Sequence, residues 1–193
     1  MNIDPVLDQI NANRGLGSSN ACYDVMYFVA RLYDCQAILE IGTHRGASAI
    51  VFCRAVLDNG GVPRVVTIDS WEQADRRDVA RAHFAKAGVA EWVCMVEGRS
   101  DDVLPGVARQ RYWDLVLIDG GHAAAQVRRD YENVKGHTRR ILFHDTDAAA
   151  ETPYLLQAAQ DGFRLRSFHT RYVEGDGHPV GITLAERRGP HGA

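Results

Sequence analysis

The sequence predicts an α/β fold: a doubly wound, mostly parallel sheet with helices on both faces. Three observations predict it. Short apolar runs alternate with helix-length segments from residue 36 to residue 160. Turn residues such as Asn59-Gly60-Gly61, Gly88 and Gly120-Gly121 separate them. The run Ile38-Leu39-Glu40-Ile41-Gly42-Thr43-His44-Arg45-Gly46-Ala47-Ser48 has the order of a strand, a tight turn and a helix start. That arrangement brings backbone N–H groups against a nucleotide-like ligand.

Taken in order, residues 1–20 read as irregular and Ala21 to Tyr33 as an amphipathic helix. Gln36 to Ile41 is the first strand, and the helix from Ala47 to Leu57 stops at Asn59-Gly60-Gly61. Arg64 to Asp69 is a second strand with an acid at its end. The helix after it, Glu72 to Ala87, ends with Gly88 at the C′ position. Trp92 to Val96 is the third strand, Asp101 to Arg109 a short helix, and Trp113 to Asp119 the fourth strand. A helix from Ala123 to Val134 leads to a fifth strand, Arg140 to Phe143, which runs into His144-Asp145. Pro153 suits the first turn of a helix reaching Gln160. Phe163 to Phe168 and Val180 to Ala185 are the last strands, with Glu174-Gly175-Asp176-Gly177 turning between them. Strands separated by helices require right-handed crossovers and a parallel sheet covered on both faces. The closing pair, with no helix between them, requires one antiparallel strand near an edge. The expected architecture is a Rossmann-like, seven-stranded sheet. Residues 1–35 form a helical or lid segment, 36–186 the domain and 187–193 a loose tail.

A chain of 193 residues suits one domain with a single core, and 46% hydrophobic with 24% charged residues is ordinary for a soluble globular protein. With 22 Lys+Arg against 25 Asp+Glu the net charge is −3, which gives no general attraction to nucleic acid or to an anionic membrane. Cys22, Cys35, Cys53 and Cys94 show no C-x-x-C spacing and sit among apolar residues, as buried reduced thiols do. The N-terminus lacks a basic segment followed by an apolar run, and no stretch approaches the length of a membrane span. A cytoplasmic protein is expected.

In such a sheet the ligand crevice lies at the carboxyl ends of the strands. Those ends carry Glu40 and Gly42, then Asp69-Ser70-Trp71, then Gly98-Arg99-Ser100-Asp101, then Asp119-Gly120-Gly121-His122, then His144-Asp145-Thr146-Asp147. The pattern Glu40-x-Gly42-x-x-x-Gly46 departs from the dinucleotide fingerprint. An acid there would repel a pyrophosphate but suits an ammonium group. Each rim residue also has a plainer reading. Asp69, Ser100 and Asp101 can cap the helices that follow them. Trp71 can be core or a stacking platform, and His122 can be a helix-start surface residue. His44 and Arg45 read as solvent-facing loop residues. Asp119 has the weakest plain reading, because an acid ending the apolar run Leu115-Val116-Leu117-Ile118 needs a positive partner.

Together these residues resemble the class I S-adenosylmethionine-dependent methyltransferases, and within them small-molecule O-methyltransferases of the catechol and macrolide-sugar type. The similarity runs from Ile38 to Phe168. Glu40-Ile41-Gly42-Thr43-His44-Arg45-Gly46 is similar to the family's first motif, with His44 in place of its middle glycine. The resemblance implies that Glu40, Gly42, Thr43, Gly46 and Ser48 hold the methionine part of the cofactor. It implies that Asp69 takes the ribose hydroxyls beside Ser70 and Trp71, and that Gly98, Arg99 and Ser100 border the adenine. Ile118-Asp119-Gly120-Gly121-His122, with Asp130 and Ile141-Leu142-Phe143-His144-Asp145 downstream, resembles the D-G-x-H … H-D pattern of the branch. Asp119 and Asp145 then occupy metal-ligand positions for Mg²⁺ or another divalent ion, with His144 or Thr146 as the third ligand.

His122 stands at the family's general-base offset, with Asp119 and Asp145 orienting it or holding the metal, and His144 is the alternative base. A histidine titrating near neutrality suits removal of a hydroxyl proton as the methyl group arrives. The reaction implied is an in-line SN2 transfer of a methyl group to a hydroxyl of a small molecule. The rivals are a non-catalytic cofactor-binding module and a nicotinamide-dependent oxidoreductase. With only residues 1–35 available as a lid, the acceptor is small or held in an open cleft, which a second subunit of a homodimer can complete. Arg171, Tyr172 and His178 read as surface-loop residues, with cleft lining as their alternative.

Overall fold

The structure is a computed structural model that describes residues 20–72, 74–121, 123–146, 152–173 and 179–187. Its elements follow the predicted order. They are α1 (Asn20–Leu32), β1 (Ala37–Ile41), α2 (Ala47–Asp58), β2 (Arg64–Asp69), α3 (Ala74–Lys86), β3 (Val93–Glu97) and α4 (Ser100–Ala108). Then come β4 (Leu115–Ile118), α5 (Ala124–Val134), β5 (Arg140–His144), α6 (Thr152–Gln160), β6 (Phe163–Val173) and β7 (Pro179–Arg187). The sheet order is β3-β2-β1-β4-β5-β7-β6. Strands β1 to β5 pair in parallel, and β7 runs antiparallel to both β5 and β6. The Rossmann-like sheet of seven strands with one antiparallel strand is therefore as expected. The switch of winding direction falls between β1 and β4, where such sheets place their ligand crevice.

Two apolar layers flank the sheet. Ile38, Leu115, Leu117 and Leu142 turn to one face and pack with α1, α2 and α3. Leu39, Ile41, Val116, Ile118 and Phe143 turn to the other and pack with residues of α4, α5 and α6. Alternation within strands buried on both sides explains why they read as unbroken apolar runs. Helix α3 closes as its sequence predicts. Gly88 N–H donates to Ala85 C=O and Val89 N–H to Phe84 C=O, the pair of bonds of a Schellman motif.

Two expectations change, and helix α1, from the segment expected to be helical or a lid, packs in the core: Cys22, Met26, Tyr27, Val29 and Ala30 are buried. Its last turn is tied to α2, where the Tyr27 hydroxyl donates to Asp58 and Arg31 Nε donates to Asn59 at 2.9 Å. Cys94 is exposed, whereas the other three thiols are buried as predicted. It stands on β3, one of the two edge strands, whose residues are at most partly buried. The closing strands are longer than predicted, because the antiparallel ladder from Phe163↔Arg187 to Val173↔Pro179 holds polar residues that local pattern does not mark as strand. No helix of the described residues is long and apolar enough to cross a membrane.

Candidate active site

A cavity of about 610 Å³ opens at the carboxyl ends of the parallel strands, a size typical of small-ligand sites. Its wall is built from the loops after β1, β2, β3, β4 and β5, and it includes Gly42, Asp69, Ser70, Gly98, Arg99, Ser100, Asp119, His144 and Asp145 from the expected set. Glu40, Thr43, Gly46, Ser48 and Trp71 are not in the wall. His122 and the turn Glu174 to Gly177 lie outside the described residues, as does His178, and the side chains of Arg171 and Tyr172 are not described.

Gly42 brings the β1 loop against the end of β4. Its φ is +99°, and a Cβ there would lie 2.1 Å from the Asp119 carbonyl oxygen. Its N–H donates to Ile68 C=O at 2.8 Å, and Asp119 N–H donates to Ile41 C=O at 2.9 Å, so three strand ends meet at this turn. Gly46 serves packing instead. A Cβ there would meet the Phe84 ring at 2.4 Å, so this glycine lets α3 close on the start of α2.

Glu40 is withdrawn from the cavity. It is fully buried and accepts hydrogen bonds from the Ser48 and Thr67 hydroxyls. Thr67 in turn shares a hydrogen bond with Thr43, and because its proton goes to Glu40, Thr43 is the donor. Thr43 and Ser48, expected at the cofactor, thus complete a buried hydroxyl chain that ties β1, β2 and the first turn of α2 together. Burial pushes the Glu40 carboxyl up to about 7, against the two hydroxyls that lower it and with the charges of Asp119 and Asp69 raising it further.

Asp69 is held by two backbone donors: His44 N–H reaches Oδ2 and Trp71 N–H reaches Oδ1, each at 2.8 Å. Both donor residues have positive φ, +48° for His44 and +41° for Trp71. This backbone strain is concentrated at the rim. The turn swings Trp71 inward, where it is 5% exposed and lies under the Arg77 guanidinium. His44, expected to face solvent, lines the cavity.

At the far end of the cavity Asp119, His144 and Asp145 converge, with one potential ligand atom from each lying within 4.8 Å of the others. His144 Nδ1 is 3.2 Å from Asp119 Oδ1 and 2.9 Å from Asp145 Oδ1. These are ion-pair distances without hydrogen-bond alignment, and Nδ1 is buried with no hydrogen-bond partner. Asp145 adopts φ +57°, which aims its carboxylate back at the histidine. Burial works to lower the imidazole pKa, but the Asp119 charge and contacts with Asp119, Asp145 and the Cys22 thiol raise it well above the usual value. Thr146, the other candidate third ligand, instead accepts a hydrogen bond from the Thr183 hydroxyl of β7 at 2.9 Å.

Sequence reasoning passed over Gln126, Glu72 and Arg76, all of which line the cavity. For Gln126 a signal was present. It precedes Asp130 by four residues on a predicted helix, the spacing that puts both on one face.

A family model described as a methyltransferase domain matches residues 39–146. Catechol O-methyltransferase of Mycobacterium tuberculosis is 38% identical over 91 residues, which cover 47% of this chain and 39% of that protein. The chain spans about 40% of the length of the curated relatives it matches. Among solved structures, the O-methyltransferase TomG of Streptomyces achromogenes, involved in tomaymycin synthesis and in complex with SAM, has a TM-score of 0.76 at 26% identity. That likeness covers 96% of this chain and 91% of TomG. The O-methyltransferase of Bacillus cereus in complex with SAH shares the fold, with a TM-score of 0.75 at 22% identity over 95% of this chain and 91% of that one. The model match spans more than half of the chain and includes the β1 turn, Asp69, Asp119, His144 and Asp145, so the chain belongs to the methyltransferase-domain family.

Proposed function

We propose that the chain is an S-adenosylmethionine-dependent O-methyltransferase acting on a hydroxyl of a small molecule. One observation carries this reading: a single cavity holds the Gly42 turn, Asp69 and Gly98-Arg99-Ser100 alongside the Asp119, His144 and Asp145 cluster. The first set suits a nucleoside-bearing donor. The two N–H groups on Asp69 orient its carboxylate and leave lone pairs for a ribose diol. The second set suits an acceptor that must lose a proton. The name of the mycobacterial relative and the SAM bound to TomG support the same chemistry. The donor supplies a methyl group on a sulfonium. The chain's own tasks are alignment, proton removal and exclusion of water. Titration calorimetry tests the reading: S-adenosylhomocysteine is expected to bind and NAD not to. Binding of NAD instead would point to an oxidoreductase. Binding of S-adenosylhomocysteine without turnover over a broad acceptor panel would leave a non-catalytic module.

His122 directly follows the cavity-lining Gly121 in sequence and is assigned the general base, with His144 as the alternative. Replacing His122 with alanine is expected to lower turnover about 100-fold or more while S-adenosylhomocysteine affinity stays unchanged. Unchanged turnover would remove the assignment.

The convergent donor atoms, with Nδ1 of His144 buried between two carboxylates and without an aligned hydrogen bond, fit a divalent ion held by Asp119, His144 and Asp145. Such an ion supplies acidification of the acceptor hydroxyl. Two oxygens and an imidazole nitrogen suit Mn²⁺, Fe²⁺ or Zn²⁺ better than Mg²⁺. The ligating nitrogen must be deprotonated, and its carboxylate neighbours favour the proton, so ion affinity is expected to rise with pH. EDTA is expected to abolish turnover, and Mn²⁺ or Mg²⁺ to restore it. Full turnover in chelator would exclude the ion, leaving Asp119 and Asp145 to orient the base.

A further inference from the structure

The sheet is open at its β6 edge, on the face that carries α1. One side of β6 is covered by α6, where Phe163 packs with Tyr154 and Ala158. On the other side Arg164, Arg166 and Phe168 stand opposite Glu186, Leu184 and Ile182 of β7 and share their face. Ile182 and Leu184 are buried in the cluster that includes α1. Their neighbours on β6 are not: Arg164 and Arg166 are exposed and Phe168 is 37% exposed. Helix α1 is the wall beside this strip, and Arg166 donates to the Tyr33 hydroxyl just past its end at 3.3 Å. Tyr27 and Arg31 tie α1 to the end of α2. Phe28 and Leu32 each come one residue later, about 100° further round the helix, on the flank away from α2. They are 54% and 73% exposed. Among the described residues nothing buries this groove, although folded chains commonly cover such an edge with a helix or loop.

The chain carries a segment whose length and chemistry match. Residues 1–19 precede Asn20, where α1 begins. Asp4-Pro5 is helix-start chemistry, a capping acid followed by proline at the first helical position. Ile3, Val6, Leu7 and Ile10 have the spacing of one helix face, and Gly15 suits a helix stop. Residues 1–10 hold two acids and no Lys or Arg, complementary to Arg164 and Arg166, and Asp4 flanks the apolar face. A helix of about ten residues is marginal alone in water, so it needs an apolar partner. Gly15 to Ser19 is a five-residue loop, a length that joins two antiparallel helices. Turned back through that loop, with Arg14 level with Asn20, the segment sets Ile10 near Val25. The same register brings Val6 and Leu7 to Phe28, and Ile3 to Leu32.

We propose that residues 4–14 form a helix that docks, within the same chain, in the groove between α1 and β6, with its apolar face on Phe28, Leu32 and Phe168. The segment is then a clasp on the edge of the sheet and not a lid on the cavity. It steadies α1, whose buried Cys22 lies against His144 at the cavity. The inference holds whatever the cavity binds.

Amide hydrogen exchange and thermal unfolding of the full chain test it. Amides of residues 8–14 are expected to exchange about tenfold or more slower than in an unstructured chain. Leu7→Asp is expected to abolish that protection and to lower Tm by roughly 4 °C. The double variant Phe28→Ser with Leu32→Ser is expected to do the same, although both side chains are exposed among the described residues. All three changes together are expected to cost no more than either set alone, because each removes the same contact. If the double variant fails to fold, Leu7→Asp decides. Unprotected amides in wild type, or an unchanged Tm in either variant, overturn the proposal. Protection kept in a folded double variant places the segment elsewhere, over the cavity included, and overturns it too. An equal mixture of the Leu7→Asp chain and the double-variant chain is expected to stay unprotected. Regained protection would mean that the segment crosses to a second copy, which also overturns the proposal.

Discussion

Replacing Gly42 with alanine is expected to cost more than about 4 kcal/mol and to lower Tm by roughly 10 °C, the largest single-residue effect anticipated in this chain. Two causes act together. The residue sits at φ +99°, which an L side chain resists, and the new Cβ would lie 2.1 Å from the Asp119 carbonyl oxygen and 2.9 Å from the Gly120 nitrogen. Those neighbours are backbone, so no rotamer change relieves the collision. Relief requires the β1 loop to move away from β4. That movement would break the Gly42 N–H bond to Ile68 and the Asp119 N–H bond to Ile41. It would also displace Asp119 from His144, so any ligand of the cavity should be lost together with stability. Chemical denaturation and calorimetry on the same preparation check both effects. A variant with wild-type Tm would show that the loop is slack.

The second large effect is a dependence on pH that belongs to Glu40. The carboxyl has a pKa of about 7 in the folded chain, against an ordinary value of 4.5. Between those values the folded state keeps a proton that the unfolded state has released. Stability therefore falls as pH rises across that window, by an amount on the order of 3 kcal/mol. Below it both states are protonated and above it both are charged, so the contribution is flat outside. Glu40→Gln removes the titration but keeps a polar group for Ser48 and Thr67. The difference in unfolding free energy between variant and wild type is expected to move in favour of the variant between pH 4.5 and pH 8. Urea denaturation at several pH values measures it, and other titrating groups cancel in the subtraction. Parallel curves would mean that the buried hydroxyls already hold Glu40 ionised.

Glu40 also shows where reading residues in a line stops. Its place at the end of β1 is visible in the run Ile38-Leu39-Glu40-Ile41-Gly42, and so is the fact that the turn after it faces a ligand. Its direction is not. A strand residue points to the face opposite that of its neighbours, and Glu40 therefore enters the helix layer beneath α2 rather than the crevice. Trp71 is a similar case: its neighbours Asp69 and Ser70 line the cavity, but a positive φ turns the ring into the core. Gln126 is the converse, a polar helix residue whose spacing to Asp130 marks a shared face, but whose place in the cavity wall is set only when α4 and α5 lie side by side.

By itself the sequence determined the kind of fold, the order of its elements and the rim on which polar residues collect. Those follow from local causes: apolar runs bounded by turn residues, and glycine where no side chain fits. Tertiary structure alone decided which rim residues face the cavity, that α1 joins the core, that Cys94 is exposed on the edge strand and that β6 and β7 extend beyond their apolar patterns. It also decided that His144 meets Asp119 across the β4–β5 boundary. The physical reason is the same in each case. Side-chain direction, burial and partnership depend on which strands become neighbours, and that is settled by sheet order and packing between residues far apart in the chain.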